Sequence, residues 1–197
     1  MQQAWADGAW TEVLRWADVA EVQEPAVWRS GRVVARAAAL EALGQSADAA
    51  VARAGLAGRP SPLHVVFGDE IELVALDVPS TARAGEAVTI RWAWRTLRPM
   101  REDYEGILHG DHAATRARLN HSQRLGHAFG SSSWLVGERI EESFAMTIPA
   151  GAQLGTYRVS LEIVAPDSKR HARVSDPDHP GSGRYTTGTI ATITVVP

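Results

Sequence analysis

The densest group of side chains able to do chemistry is His109, Asp111, His112, His121 and His127, five potential metal ligands within nineteen residues. The His-x-Asp-His spacing of the first three resembles that of a metal site, where neutral imidazoles and a carboxylate suit zinc and its first-row neighbours. In a strand, His109 and Asp111 share one face and His112 points away. The competing reading is therefore a set of solvated or capping histidines at a strand edge. Asp176, Asp178 and His179 lie in a polar stretch. They lack the glycine and distal glutamate of a calcium loop and read as an ordinary Asp-Pro turn.

Nucleophilic and acid–base chemistry find little support. Ser131, Ser132 and Ser133 have histidines nearby, but no Gly-x-Ser-x-Gly elbow and no strand–turn–helix context. Glu102-Asp103 and Glu141-Glu142 are paired acids, yet neighbours along a strand point to opposite faces and cannot flank one bond. Gly181-Ser182-Gly183 is too short to cradle a phosphate. Arginine is a better lead. Arg91, Arg95, Arg98 and Arg101, with Arg116, Arg118 and Arg124, make the middle of the chain locally basic. Arginine beside tryptophan can clamp acidic sugars or phosphates; the plainer reading is solvated strand faces and protected edges. A sugar site needs a flat aromatic face and a few polar fixers. Arg91, Arg95 and Trp134 are expected near such a site, with His121 supplying a hydrogen bond.

The chain has 197 residues, enough for one domain or one domain with a small appendage. There are no cysteines, which excludes disulfides, thiol nucleophiles and cysteine-bound metal or iron–sulfur centres. No cofactor motif is present. Net charge is −3, and Trp92 and Trp94 fall on a core-facing parity, so nucleic acid is not an expected partner. No apolar run is long enough to span a bilayer, and Met1 is not followed by a signal-peptide pattern. The expectation is a cytosolic protein, or one piece of a longer chain with extracytoplasmic parts. Lys169 is the one lysine among 20 basic residues, which genomic base composition explains more simply than selection for bidentate anion contacts.

Residues 1–60 read as helices. Trp10, Val13, Leu14, Ala17 and Ala20 recur at helical spacing. Pro25 suits a first turn, and Val27, Trp28, Gly31, Val34, Ala35, Ala38 and Ala42 form the next stripe, closed by Gly44. Ser46 is a good N-cap for a third helix, and Gly58, Pro60 and Pro62 end it. Trp5, Trp10, Trp16 and Trp28 concentrate aromatic surface here. It must pack either on the rest of this chain or on a partner, including a missing part of the same chain.

From residue 63 to 197 the period changes to two. Val88, Ile90, Trp92 and Trp94 alternate with polar residues, as do Tyr157, Val159, Leu161 and Ile163; Ile140, Phe144, Met146 and Ile148 do so with Glu142 as an interruption. Shorter strands are expected at 70–78, 104–109, 115–120 and 189–196, and 165–188 reads as a long polar loop with room for a short strand inside. Together these predict a mainly β protein, an antiparallel immunoglobulin-like β-sandwich of seven or eight strands behind a three-helix appendage. Gly155-Thr156-Tyr157 opens a strand in the manner of a tyrosine corner.

An ordered set of residues carries a family resemblance. It runs through Phe67-Gly68-Asp69, Ala84-Gly85-Glu86, Ile90-Arg91-Trp92, Tyr104 to His109, Ser133-Trp134, Gly137-Glu138, Ile148-Pro149 and Gly155-Thr156-Tyr157. In this it resembles the β-sandwich tails of bacterial membrane glycosyltransferase-like proteins. More remotely it is similar to the glycan-binding sandwich of O-antigen exporter ATPases. The helical part is weakly similar to one tetratricopeptide hairpin. The resemblance implies a non-catalytic accessory domain for glycan or neighbouring-domain recognition at the cell envelope. It breaks between Asp111 and Gly130, where the histidines lie. The alternatives are a scaffold docking a protein through the tryptophan-rich helices and, behind it, a histidine-cluster metalloenzyme.

Overall fold

The computed structural model describes residues 4, 6–23, 29–54, 63–126, 129–175 and 185–197. Among the described residues, three bounded helices precede the strands: α1 (Trp10–Gln23), α2 (Arg29–Ala42) and α3 (Ser46–Ala54). Helix α2 is buried on several sides, which is why alanine dominates it. Ala35 and Ala39 pack with Val13 of α1, Ala37 and Leu40 pack with Ala49 of α3, and Val34 enters the core of the sheets. Gly44 closes α2 with φ 76°, and the Gln45 N–H reaches the Leu40 carbonyl at 2.8 Å while the Gly44 N–H reaches Glu41 at 3.0 Å. That is a Schellman motif, for which a left-handed residue is needed. The cap of α3 is Gln45, whose carbonyl takes the first helical bond from Ala49, one residue earlier than Ser46. Pro25, Trp5 and Trp28 lie outside the described residues.

Among the described residues eleven strands follow: β1 (Val65–Phe67), β2 (Ile71–Asp77), β3 (Thr81–Arg83), β4 (Ala87–Thr96), β5 (Glu105–His112), β6 (Arg118–Arg124), β7 (Arg139–Thr147), β8 (Gly155–Ala165), β9 (Arg170–His171), β10 (Val174–Ser175) and β11 (Ala191–Val196). They form two facing sheets, in the orders β10-β1-β2-β4-β7 and β3-β11-β8-β5-β6, with β9 added to β8. The count exceeds the expected seven or eight because two- and three-residue strands carry too little periodicity to read. Two of them, β9 and β10, lie inside the stretch read as a polar loop with room for a short strand. Pairing is antiparallel except between β11 and β3, which run parallel.

The core follows the expected parities. Trp94 is fully buried against Phe67 and Trp92, at ring-centroid distances of 6.0 and 5.4 Å. Tyr157 donates its hydroxyl to the Gln153 carbonyl at 2.9 Å, completing the tyrosine corner. The strand expected at 115–120 is shifted to 118–124, because Thr115 caps a turn through the Ala117 N–H at 3.2 Å.

Among the described residues, the following contacts fasten the helices to the sheets. Phe129, which follows β6, joins the cluster of Val13, Ala35 and Ala39, with its ring 6.1 Å from that of Trp16. Val34 belongs to the sandwich core. Arg53 of α3 meets Glu138 at 2.5 Å, both side chains nearly buried.

Candidate functional site

The first sheet presents three rows of side chains on its outer face. Register aligns Asp77, Arg91 and Ser143 in one row, Ala75, Ala93 and Glu141 in the next, and Glu72, Arg95 and Arg139 in the third. A bulge between Leu73 and Ala75 sets this pattern. It buries both Leu73 and Val74 and resets the parity, so that Ala75 and Asp77 face outward. The small middle row leaves a hollow between two rows of charge. The result is a groove of about 430 Å³ lined by Ala75, Leu76, Asp77, Arg91, Trp92, Ala93, Arg139, Glu141, Glu142 and Ser143. That volume lies within the range of small-molecule sites, roughly 300–1,000 Å³.

The groove's charges come in opposite-sign pairs. Arg91 and Asp77 meet at 3.2 Å with both side chains mostly exposed, so the pair is weak and easily rearranged. Arg139 donates through Nε to Glu141 at 3.0 Å, while its Nη1 is buried with no hydrogen-bond partner. Arg95 donates to Glu72 at 2.9 Å, and the same carboxylate meets His64 at 2.7 Å. Guanidinium and carboxylate groups alternate around a floor of methyl groups. That arrangement offers apolar contact below and both donors and acceptors at the sides.

Of the four residues expected at a sugar site, two are brought together here: Arg91 lines the groove and Arg95 stands in its lower row. The other two are elsewhere. Trp134 is only 3% exposed and belongs to the core, because the 3₁₀ turn Ser131–Ser133 folds it inward to close one end of the sandwich. His121 lies between the sheets, stacked on Phe144 at 5.0 Å, with Nε2 buried and unpartnered; burial pushes its pKa down. Asp77, Arg139, Glu141 and the two alanines were missed by the sequence reading. The parities gave the outward direction of Ala93, Arg139 and Glu141; that of Ala75 and Asp77 comes from the bulge, and only the register makes the five neighbours.

The expected metal ligands are dispersed. His109 is held by Asn120 at 3.0 Å and Glu162 at 3.1 Å. Asp111 accepts from Arg118 at 2.6 Å. His112 meets the Leu154 carbonyl at 3.0 Å and stands edge-on to Tyr157. His127 lies outside the described residues, as do Asp176, Asp178 and His179. Among the described residues no three histidine, aspartate or glutamate side chains are grouped to hold a metal ion. Glu162 instead bridges two imidazoles, His109 and His171, and so fastens β9 across the outer face of β8 and β5.

The serines are structural. Ser131 Oγ accepts from the Tyr104 N–H at 2.8 Å, Ser132 Oγ donates to Asp103 at 2.7 Å, and Ser133 Oγ donates to the Gly130 carbonyl at 2.8 Å. Trp10 and Trp16 pack in the helical cluster with Phe129.

No family model matches the chain, and no curated protein matches it. Among solved structures it is similar to the C-terminal domain of Wzt, at 10% identity and a TM-score of 0.46, over 74% of this chain and 84% of that one. It is also similar to part of a β-glucosidase from Listeria innocua in complex with glucose (11%, TM-score 0.35, 68% of this chain, 16% of that one). A third similar structure is a CARDB domain from Pyrococcus furiosus in complex with di-metal ions (11%, TM-score 0.31, 72% and 96%). The expected likeness to the sandwich of O-antigen exporter ATPases has its counterpart in the Wzt domain; those to glycosyltransferase tails and tetratricopeptide repeats find no support. Likenesses this distant say nothing about what the chain binds.

Proposed function

We propose that this protein is a non-catalytic binding domain that holds a carbohydrate chain in the groove across β2, β4 and β7. The observation that carries the reading is the methyl-floored hollow between two rows of guanidinium–carboxylate pairs. A pyranose presents C–H surface on its faces and hydroxyls around its rim. Ala75 and Ala93 suit the first, and Arg91, Asp77, Arg139 and Glu141 suit the second, since a hydroxyl both donates and accepts. Binding rather than catalysis is supported by the engagement of all three serine hydroxyls in local turns. It is also supported by the opposite directions of Glu141, which is exposed, and Glu142, which is buried. In this reading the helical part, 1–60, is an appendage of the sandwich, 63–197, and the natural setting is an accessory role in envelope glycan handling.

A glycan array that includes acidic polysaccharides, followed by calorimetric titration of any hit, tests this. Ala75→Leu fills the floor from a half-buried position, and Arg91→Ala removes one wall. Each is expected to weaken binding at least about tenfold, the equivalent of one hydroxyl's hydrogen bonds. An array with no hits, or hits unaffected by both substitutions, overturns the reading.

A further inference from the structure

β6 is the last strand of its sheet, bonded to β5 on one side and to no strand on the other among the described residues. The His112 N–H reaches the Ala117 carbonyl at 3.0 Å, and the Leu125 N–H reaches the Tyr104 carbonyl at 2.9 Å. Along an antiparallel pair the hydrogen-bonded residues alternate. The register therefore turns the backbone of Leu119, His121 and Gln123 toward β5. It turns the backbone N–H and C=O of Arg118, Asn120, Ser122 and Arg124 toward the free edge. The Arg124 carbonyl is taken by the Gln123 side chain at 3.1 Å. From Arg118 to Ser122 the edge keeps a donor and an acceptor at every second residue.

The other edges are short or covered. β3 has three residues and β10 has two, and α2 packs against β7. β6 runs for seven residues in unbroken register, without the proline or bulge that commonly blunts an edge. What it carries is charge. Arg118 and Arg124 stand at its two ends and Arg116 precedes it, all exposed. Arg118 uses only its Nε on Asp111, in an exposed pair, and no ion pair holds Arg116 or Arg124 among the described residues. Glu105, the acid opposite Arg124, is bonded by the Ser122 hydroxyl. Two copies of β6 paired antiparallel about His121 would set Arg118 against Arg124 at both ends, and like charges directly opposite are destabilising. The arginines that repel a second copy attract an acidic strand.

We propose that β6 is the docking edge for an extended acidic segment of a partner protein, which adds to the sheet antiparallel to β6. The ladder bonds supply affinity and the alternate side chains supply selectivity. Opposite Arg118 and Arg124 the segment carries carboxylates, six residues and about 20 Å apart along a strand. Opposite Asn120 and Ser122 it carries small polar side chains. The residues between point to the other face, the one on which Leu119 is buried and His121 stacks on Phe144, and are apolar.

A capped seven-residue peptide tests this, with glutamate at both ends, serine at the third and fifth positions and valine between. It is titrated into the full chain and followed by amide spectra and hydrogen exchange. In the free chain the amides of Arg118, Asn120 and Ser122 are expected to exchange fast, and those of Leu119 and His121 slowly. With the peptide at about 1 mM, where weak strand addition is populated, the first three are expected to become protected. A version with lysine at both ends is expected to bind at least about tenfold more weakly, as is the original peptide to a chain carrying Arg118→Glu and Arg124→Glu. N-methylation of the two serines removes the N–H groups that face β6 and is expected to abolish binding. Ser122→Pro deletes one edge N–H, leaves the ladder to β5 in place, and is expected to do the same. No protection by the glutamate peptide overturns the proposal, as does equal binding of the lysine version. Binding that survives N-methylation or Ser122→Pro overturns it too. Protection of the same amides on raising the concentration of the chain alone gives the edge to a second copy and overturns the acidic partner.

Discussion

Replacing Arg53 with methionine isolates the bond that fastens α3 to the sandwich. The guanidinium is 9% exposed and meets a Glu138 carboxylate that is 6% exposed. Removing the cation strands a buried carboxylate, which in general costs about 3–5 kcal/mol. Glu138 keeps one donor, the Leu135 N–H at 2.8 Å, so the lower end applies, about 3 kcal/mol. For a chain of this size that lowers Tm by roughly 6–12 °C. Glu138→Gln alone is also expected to be destabilising, because it leaves the nearly buried cation with the Glu41 carboxylate at 3.5 Å in place of its 2.5 Å partner. The double variant should cost far less, about 1 kcal/mol. It removes both charges, retains a carbonyl for the Leu135 N–H, and eliminates an Arg53 Nε that is buried without a partner. Urea unfolding followed by tryptophan fluorescence, with calorimetry on the same four proteins, measures the cycle. Additive single-variant costs in the double, or a cost below about 1 kcal/mol for Arg53→Met, would refute the reasoning.

Four further outcomes are expected. Tyr157→Phe loses the bond to the Gln153 carbonyl and should cost about 1 kcal/mol in denaturant unfolding. Gly130→Ala places a Cβ 2.2 Å from the Asp103 carboxylate at a φ of 69°, and should destabilise by about 2 kcal/mol or more in a thermal melt. Gly106→Ala brings a Cβ to 2.8 Å from the Trp92 ring and should cost about 1–3 kcal/mol, with a changed near-ultraviolet spectrum as that ring shifts. Burial pushes the Glu142 pKa up to about 7, so Glu142→Gln gives up one acceptor, about 1 kcal/mol, but escapes an ionisation cost of roughly 3 kcal/mol. It should therefore be less stable than the native protein at pH 4 and more stable at pH 8, and a constant difference across pH would contradict the burial argument.

What the sequence by itself determined is the local periodicity and its breaks. The alternations at 88–94, 140–148 and 157–163 give the core faces because a strand's side chains must alternate, and Trp92, Trp94 and Tyr157 lie where that parity puts them. Gly44 ends α2 because only a left-handed residue closes that motif without strain. Glu142 was visible as an interruption, but not as a buried acid. Its burial requires Trp92 and Gly126 to bring donors from other parts of the chain. Trp134 misled, because a tryptophan beside a serine turn reads alike whether the turn folds inward or outward. The histidines left two readings open, a metal site or solvated and capping side chains, because closeness along the chain says nothing about which strand each side chain meets. The groove was least legible. Arg91 and Arg95 could be named in advance, but Ala75 and Ala93 become a floor only through the β2 bulge and the pairing of three strands. Register is a property of the whole sheet, fixed by which faces are buried, and no window of sequence contains it.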